Sequence, residues 1–389
     1  MVAFVDDLTN NLGRGLGTQI SINIEINKNE IHDLFQKNKE KIDELLKKNK
    51  NKYIENLWVY FFEKQKFIFP LNKQNEIYIN YHKSNLEHIF RYINFRYIFY
   101  LASFKKINHG YPPYLLIEPV SACNLRCPFC FQTDKTFTRK PYMGVMDLSL
   151  FKKVVDEADL LGVGAVTIAS RGEPTLHKKL KDMLRYLDTK KNIFEKKMNT
   201  NGAFLTEELC YEIFNSNLTQ IVISADHYEK ETFEKLRKNA NFEKILNNVD
   251  MLFNIREKIN NPITEIRVSG VDYYQNTDRK KFYDFWINRS DHVSMGNALE
   301  RWDTYFNAEH PDINDPCENL WDRMYVWFDG KVNPCDADYK SYLSYGNVKD
   351  HSIKNVWESK IIKKIREDHL KGCRNKINPC NKCGVTFTE

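Results

Sequence analysis

The stretch LIEPVSACNLRCPFCF, residues 116–131, places three cysteines close together directly after an apolar run. Cys123, Cys127 and Cys130 have the spacing C-x3-C-x2-C. Three thiolates on one short loop can hold three corners of a cubane iron–sulfur cluster, whereas a structural zinc ion normally takes four tetrahedral ligands. The fourth iron would stay open to another ligand. A zinc loop or a chance grouping of cysteines is the alternative interpretation.

The composition predicts a soluble protein whose cysteines bind metal. At 389 residues the chain is long enough for two or three domains of about 100–200 residues each. No stretch approaches the roughly 18 apolar residues of a membrane span, and the start shows no secretion signal, so a cytoplasmic location is expected. Because the cytosol keeps thiols reduced, nine cysteines favour metal ligation over disulfides. The net charge of +6 comes without clustered Lys and Arg, so no nucleic-acid partner is expected.

Residues 1–110 are predicted to form a mixed α+β accessory region of unknown role. A strand is expected over residues 20–26, a charged helix over 28–51, and an amphipathic, aromatic-rich helix over 88–106 that carries several basic residues. The simplest interpretation of the last helix is that it packs against the catalytic domain. Docking on a membrane surface or a lipid-linked substrate is the alternative.

Strands and helices alternate after Pro112 and Pro113, which cannot continue a helix. Apolar patterns predict strands at residues 115–120, 165–169, 194–199, 220–224, 265–269 and 292–295, with helical stripes between them. Strand–helix pairs in series predict a parallel sheet, and hence an α/β partial (β/α)6 barrel of the TIM type over residues 111–315. Its site should lie at the carboxyl ends of the strands, where the cysteine loop begins.

Further polar residues follow the predicted strands. SRGEP, residues 170–174, offers exposed backbone groups and a carboxylate, which suit an ammonium group. Asn201 follows the third strand and Ser224 ends the fourth; a plain turn or a helix cap also explains this composition. Arg267 lies on the fifth strand among apolar neighbours, where an unpaired guanidinium would be costly. Its expected partner is a cofactor carboxylate, an anionic substrate group or an internal salt bridge. Cys210 is expected to be a small buried hydrophobe in a helix.

A second cysteine set lies in residues 316–389. Cys317 and Cys335 lie on either side of a predicted β-hairpin with an Asp-Gly turn. Cys380 and Cys383 form a C-x2-C turn after a predicted helix. The two pairs can converge on one four-thiolate site, which would bind either zinc or a second iron–sulfur cluster.

Taken together, these motifs resemble those of the radical S-adenosylmethionine (radical SAM) enzymes. The resemblance rests on the cysteine loop with its aromatic Phe129, and on Gly172, Glu173 and Pro174. The last three match the family's Gly-Gly-Glu-Pro motif, except that Arg171 replaces the first glycine.

The resemblance implies a cofactor site and a chemistry. The open iron would chelate the amino and carboxylate groups of S-adenosylmethionine, with Gly172 and Glu173 holding the amino group. Asn201 and Ser224 match positions that line the cofactor pocket in relatives. One electron from the 4Fe–4S cluster would cleave the cofactor to methionine and a 5′-deoxyadenosyl radical, which takes a hydrogen atom from the substrate.

The C-terminal unit resembles the SPASM and twitch auxiliary domains of the same enzymes, which carry additional 4Fe–4S clusters. Its hairpin, its amphipathic helix and its final C-x2-C turn follow that order. Five cysteines fit one auxiliary cluster better than two. The implied ligands are Cys317, Cys335, Cys380 and Cys383, with Cys373 as a spare thiol or alternative ligand.

The resemblance implies a radical SAM oxidoreductase that takes single electrons from a donor such as flavodoxin or ferredoxin. The auxiliary cluster would accept an electron while a small polar molecule, such as a sugar or an aminocyclitol, is dehydrogenated or epimerised. Modification of a peptide or protein is the alternative, although residues 1–110 show no clear winged-helix leader-binding domain. A non-catalytic iron–sulfur or zinc protein is the remote alternative.

No side chain is identified as the substrate's acid, base or radical carrier. Candidates near the predicted barrel mouth or the auxiliary unit are Asp303, Tyr305, Asp322, Asp336 and Asp338. An exposed loop position or a helix cap is the simpler interpretation of each. Trp302 could stack on a substrate ring, but core packing explains it equally well.

Overall fold

The computed structural model describes residues 28–49, 51–261, 263–298 and 304–384. The strand predicted over residues 20–26 lies outside these ranges. What is described of the N-terminal region is helical: α1 (Lys28–Lys37), α2 (Lys39–Lys48), α3 (Lys52–Lys64), α4 (Lys73–Tyr81) and α5 (Leu86–Lys105). No helix in the described ranges combines the length and the apolar character needed to cross a bilayer.

Six parallel strands form the larger part of one sheet, as predicted. They are β1 (Tyr114–Ile117), β2 (Ala165–Ile168), β3 (Glu195–Thr200), β4 (Gln220–Ser224), β5 (Glu265–Asp272) and β6 (His292–Asn297). Each strand pairs with the next one in the chain. The connecting helices are α6 (Leu148–Leu161), α7 (Leu180–Asp188), α8 (Glu207–Asn215), α9 (Lys230–Leu236), α10 (Phe242–Ile259) and α11 (Arg279–Trp286). The partial barrel is confirmed, with the six carboxyl ends at one edge.

The C-terminal hairpin belongs to the same sheet. β7 (Met324–Val326) pairs in parallel with β1, and β8 (Lys331–Asn333) and β9 (Gly346–Asn347) continue it antiparallel. The sheet order is β6-β5-β4-β3-β2-β1-β7-β8-β9. The remaining helices are α12 (Asn319–Asp322), α13 (Ile353–Trp357) and α14 (Lys360–Leu370). Backbone hydrogen bonds therefore join the auxiliary unit to the barrel.

Side chains of β1 alternate between two cores. Leu115 and Ile117 pack in the cluster that contains the connecting helices, whereas Tyr114 and Leu116 pack with the aromatic side chains of α5. Fourteen of the twenty residues of α5 are buried, because α3 and α12 contact it as well. The expected packing of this helix against the barrel is confirmed. The expected amphipathic pattern was wrong, since burial extends around most of the helix.

Charged groups also join α5 to the sheet, at the start of β3. Arg96 Nη1 lies 3.2 Å from Glu195 Oε1, which accepts the Tyr92 hydroxyl proton at the same distance. Lys197 Nζ lies 3.1 Å from Glu195 Oε2. Although burial raises the pKa of Glu195, the charges of Lys197 and Arg96 outweigh it and leave this pKa below its ordinary value. The Glu195 carboxylate therefore carries a charge that holds α5 to the start of β3.

Replacing Arg96, which pairs with Glu195, is expected to destabilise the fold. Arg96→Met leaves the buried Glu195 with one cation instead of two, and we expect a loss of about 3 kcal/mol in the free energy of unfolding. Urea denaturation of the full chain measures the shift. Lys39→Met is the control, because Lys39 forms an exposed pair with Asp43 and such pairs contribute little. Equal midpoints for the two variants would contradict the anchoring role.

Candidate iron–sulfur and cofactor site

The cysteine loop follows the carboxyl end of β1, and hydrogen bonds to its backbone atoms hold it in place. Arg126 donates to the carbonyl oxygens of Cys123 and Leu125, both at 2.7 Å. The Leu125 amide donates to Cys123 Sγ at 3.4 Å. The Arg126 amide donates to the Lys238 carbonyl oxygen at 3.0 Å, which fastens the loop to the segment after α9. These hydrogen bonds therefore fix the shape of the loop.

Burial disfavours the thiolate form of the cysteines in this loop. Burial raises the pKa of Cys127 to about 11 and that of Cys130 to about 12, and it also raises the pKa of Cys123. The Arg237 guanidinium acts in the opposite direction on all three. Thiolate ligation must therefore release protons, as is usual when a metal centre forms.

Gly172 lets the SRGEP segment pack on the cysteine loop. A Cβ at this position would lie 2.1 Å from the Val120 carbonyl oxygen and 2.5 Å from that of Ala122. The Glu173 amide donates to the same Ala122 oxygen at 2.9 Å. Only glycine allows this close approach of two backbones.

The Glu173 carboxylate organises the neighbouring strand end. Oε1 accepts the hydroxyl protons of Thr175 and Thr200, both at 2.6 Å, and Oε2 accepts the Asn201 amide at 2.8 Å. The Asn201 side chain in turn donates to Asn124 Oδ1 at 2.9 Å, inside the cysteine loop. The structure thus brings Glu173 and Asn201 to the loop. Their contacts to a cofactor stay predictions.

Ser224 and Arg267 lie deeper, on neighbouring strands. Ser224 pairs in register with Ser269, two residues beyond Arg267 on β5. The buried Arg267 donates to Ser294 Oγ from Nε at 3.3 Å and from Nη2 at 2.9 Å. One of its partners is therefore a neutral hydroxyl, and its expected anionic partner stays a prediction. At the mouth, the ring of Phe129 lies 5.5 Å from that of Tyr273.

Arg237, after α9, is a site residue that the sequence analysis missed. Its buried guanidinium lies 2.8 Å from Asp226, two residues beyond Ser224. No motif or periodicity in the sequence around Arg237 indicates its burial. Three buried atoms near the loop lack a hydrogen-bond partner among the described residues: Gln132 Oε1, Ser170 Oγ and Arg237 Nε. A ligand with both a carboxylate and an ammonium group would satisfy such a set.

The four cysteines predicted as auxiliary ligands influence one another electrostatically, and a second buried arginine influences two of them. Burial raises the pKa of Cys335 well above its ordinary value, and three neighbouring thiols raise it further: Cys317, Cys380 and Cys383. The charge of the buried Arg374 opposes the upward pKa shifts that burial causes at Cys317 and Cys380. Cys373 Sγ contacts the Lys371 carbonyl oxygen at 3.8 Å and stays a predicted alternative ligand. No group of three or more Cys, His, Asp or Glu side chains in the described ranges is arranged to hold a single metal ion.

Two family models match these two sites. The radical SAM superfamily matches residues 117–285, and the iron–sulfur cluster-binding SPASM domain matches residues 317–384. The chain belongs to the radical SAM superfamily. Membership implies S-adenosylmethionine and a 4Fe–4S cluster on the three-cysteine loop, and the SPASM domain implies an auxiliary cluster. The glycine-dependent packing, the thiols and the unpartnered polar atoms described above fit these groups.

Curated relatives share part of this radical SAM chain. A tungsten-containing aldehyde ferredoxin oxidoreductase cofactor-modifying protein of Pyrococcus furiosus is 25% identical over 300 residues, which cover 63% of this chain and 81% of the relative. A GTP 3′,8-cyclase of Desulforamulus reducens is 26% identical over 132 residues. That match covers 34% of this chain and 40% of the cyclase, less than half of its length.

Solved radical SAM structures share the fold. Streptococcus suis SuiB bound to its precursor peptide SuiA superposes with a TM-score of 0.55 at 15% identity, over 82% of this chain and 89% of SuiB. AnSMEcpe with bound AdoMet gives a TM-score of 0.52 at 18% identity, over 69% and 88% of the two chains. At these identities the likeness concerns the architecture alone.

The acidic and tyrosine candidates separate into structural roles. The Tyr305 hydroxyl donates to Asp338 Oδ1 at 2.6 Å, and Asp338 also accepts the amides of Tyr342 and Leu343. Asp338 is thus a buried node of the auxiliary loop. Asp322 forms a buried, two-pronged contact with the adjacent Arg323 at 2.7 and 2.9 Å. The charge of Asp336 acts on the buried Tyr325, and Trp302 and Asp303 lie outside the described residues.

Gly172→Ala is expected to weaken both the fold and cofactor binding. The added methyl would meet two backbone oxygens that cannot move independently, which we expect to cost about 2–3 kcal/mol of stability. The dissociation constant for S-adenosylmethionine should rise roughly tenfold or more, because the two loops separate. Equilibrium dialysis with the cluster-loaded protein measures it.

Gly162→Ala serves as the control for this substitution. Gly162 has a positive φ of 80° but nothing within 4 Å of the added Cβ. Its loss should be backbone strain of about 1 kcal/mol, without any change in cofactor affinity. Similar cofactor affinities for the two variants would contradict the role of the close contact.

Proposed function

We propose that this protein is a radical SAM oxidoreductase that dehydrogenates a small polar molecule such as a sugar or an aminocyclitol. When bound on the three-cysteine loop, the cluster and S-adenosylmethionine would supply the 5′-deoxyadenosyl radical chemistry that removes one hydrogen atom from the substrate. The cysteines of the C-terminal unit would hold the auxiliary cluster, which would supply an acceptor for the electron that leaves with a second proton. The substrate thereby loses two electrons in total. Flavodoxin or ferredoxin in the cytoplasm would supply the electron for cofactor cleavage.

The observation that carries the choice of a small substrate is the described N-terminal region. Helices α1–α5 occupy residues 28–105, and α5 packs against the sheet as part of one aromatic core. A peptide-modifying enzyme would be favoured by a winged helix with an exposed strand edge, which could add a peptide strand. Within residues 28–49 and 51–105 no strand is present. These helices therefore support a structural role.

The strand interior supplies polar groups suited to a hydroxyl-rich substrate. Ser269 and Ser294 carry hydroxyl groups whose oxygens lie 3.4 Å apart, next to Arg267. Ser269 and Ser294 pair in register in the middle of β5 and β6, and Ser269 also pairs with Ser224, the last residue of β4. Barrel enzymes bind substrate at the carboxyl ends of the strands, next to this level of the sheet. We assign Arg267 to the substrate and not to the cofactor carboxylate. A guanidinium and two hydroxyl groups can donate to several substrate oxygens.

Arg237 is the better candidate for the cofactor carboxylate. Its charge acts directly on the three thiols of the loop, and its buried Nε atom has no hydrogen-bond partner in the described part of the chain. We propose that this guanidinium would hold the carboxylate of S-adenosylmethionine. Charge-assisted hydrogen bonds of this kind are the strong ones. Ser224, Asn201 and Gly172 complete the proposed pocket.

Arg237→Gln should raise the dissociation constant for S-adenosylmethionine by roughly 10–100-fold, because a hydrogen bond to a charged group contributes about 1.5–3 kcal/mol. Equilibrium dialysis with the anaerobically reconstituted protein measures this constant, and iron content verifies that the cluster is retained. Arg267→Gln is the matched control: it should leave cofactor affinity unchanged and lower turnover. The reverse pattern would assign Arg267 to the cofactor instead.

The proposed function is tested with deuterated substrates. Candidate sugars and aminocyclitols, deuterated at their carbinol carbons, are incubated with the reconstituted enzyme, S-adenosylmethionine and a reductant. Deuterium in 5′-deoxyadenosine together with a ketone product would support the proposal. Deuterium transfer only from labelled peptides would contradict it and favour peptide modification.

A further inference from the structure

Arg171 replaces a glycine of the family motif, and its side chain points into the interface with the auxiliary domain. It is 3% exposed and makes a two-pronged ion pair with Glu118, at 2.5 Å from Nε and 2.6 Å from Nη2. Nη1 donates to the Tyr339 carbonyl oxygen at 2.8 Å. The guanidinium also lies 4.2 Å from the centre of the Trp327 ring. Tyr339 and Trp327 both belong to the auxiliary domain.

The backbone of Arg171 is tied to the cysteine loop as well. The buried Gln132 amide donates to the Arg171 carbonyl oxygen at 2.6 Å and to the Ser121 carbonyl oxygen at 2.7 Å. Glu118, the ion-pair partner of Arg171, follows β1 and accepts a hydrogen bond from the Phe328 backbone amide at 3.3 Å. One residue therefore contacts the cysteine loop through its backbone and the auxiliary domain through its side chain.

Burying the Glu118 and Arg171 charges is costly in free energy unless both partners of the ion pair are present. Glu118 is fully buried, and Arg171 is the cation that the structure pairs with it. Removing one partner of a buried ion pair leaves an uncompensated charge, whereas an intact, hydrogen-bonded pair is tolerated. A movement of the auxiliary domain that breaks the Tyr339 and Trp327 contacts must also disturb Arg171. Gly172 follows directly in the chain.

We propose that Arg171 is a positioning residue that couples the binding of S-adenosylmethionine at the 172–174 segment to the seating of the auxiliary domain. The inference rests on membership of the superfamily and not on the proposed substrate. Because coupling between two sites is reciprocal, cofactor binding stabilises the auxiliary contacts, and loosening these contacts weakens cofactor binding. The glycine of the usual motif has no side chain that could make this connection.

The test uses the full-length, anaerobically reconstituted protein and two measurements. Hydrogen exchange of the amides in residues 333–345 is recorded with and without S-adenosylmethionine, and the dissociation constant of the cofactor is measured by equilibrium dialysis. In the wild type the cofactor should slow this exchange about fivefold or more, the lower range of measured couplings. In Arg171→Lys, which cannot form the two-pronged pair, this slowing should disappear and the dissociation constant should rise about fivefold or more.

A second variant distinguishes loss of coupling from loss of folding. Arg171→Met combined with Glu118→Gln removes both charges, so that no unpaired carboxylate stays buried, and it should show the same loss of coupling. Lys153→Ala is the matched control, because Lys153 Nζ donates to the Val348 carbonyl oxygen at 2.5 Å from the outer helix α6. It removes a barrel–auxiliary contact far from the motif and should leave the coupling intact.

The outcomes separate coupling from simpler roles. Cofactor-dependent slowing that persists in both Arg171 variants would overturn the proposal. A weaker cofactor affinity with unchanged slowing would also overturn it, because Arg171 would then act only within its own loop. Loss of coupling in Lys153→Ala to the same extent would overturn it too, since any contact between the two domains would then suffice.

Discussion

Cys127→Ala should abolish the formation of 5′-deoxyadenosine, with a fall of roughly three orders of magnitude or more, because two thiolates cannot hold the cubane cluster that the reaction requires. Iron content should fall from about eight to about four atoms per chain, since the auxiliary cluster has its own ligands. The thiol lies in a loop that the Arg126 contacts hold in place, so the loss is chemical and not conformational. Iron and sulfide assays and chromatography of the nucleoside measure both results.

Cys210→Ala is the matched control for this loss. Cys210 is fully buried in α8 among apolar neighbours, and burial raises its pKa to about 12. Its replacement should cost about 1 kcal/mol of stability and leave both iron content and nucleoside formation unchanged. Equal losses in the two cysteine variants would show that the effect of Cys127→Ala is unfolding.

The double variant Cys317→Ala/Cys335→Ala should separate the two clusters. We expect about four irons to remain and 5′-deoxyadenosine still to form, while oxidised product falls by roughly a hundredfold or more because the second electron has no acceptor. The effects of the three other thiols on the pKa of Cys335 support this choice of ligands. Electron paramagnetic resonance of the reduced protein, iron content and product analysis measure the outcome.

Cys373→Ala is the control for the auxiliary set. Its Sγ atom contacts a backbone carbonyl oxygen, so its loss should leave about eight irons in place. A fall to about four irons in this variant would instead make Cys373 a cluster ligand. Zinc in the C-terminal unit of the wild type would contradict the electron-acceptor role altogether, because zinc has no redox chemistry.

Local patterns in the sequence determined the architecture and the metal chemistry. Cys123, Cys127 and Cys130 lie within one loop, so their spacing alone indicates a shared centre. Alternating strand and helix patterns likewise depend on neighbours in the chain, and the six parallel strands confirm them. Gly172 was identified through its motif, and the physical reason for it is the approach of the Val120 and Ala122 carbonyl oxygens.

Only the tertiary structure decided which distant residues serve the site. Arg237 and Arg374 lie far in sequence from some of the thiols on which their charges act, and neither has a local pattern that indicates burial. The pairing of β7 with β1 brings Trp327 and Tyr339 to Arg171, and no periodicity along the chain encodes it. The extent of burial of α5 also depends on the tertiary structure. Its pattern indicated one apolar face, but burial around most of a helix depends on how many elements pack against it.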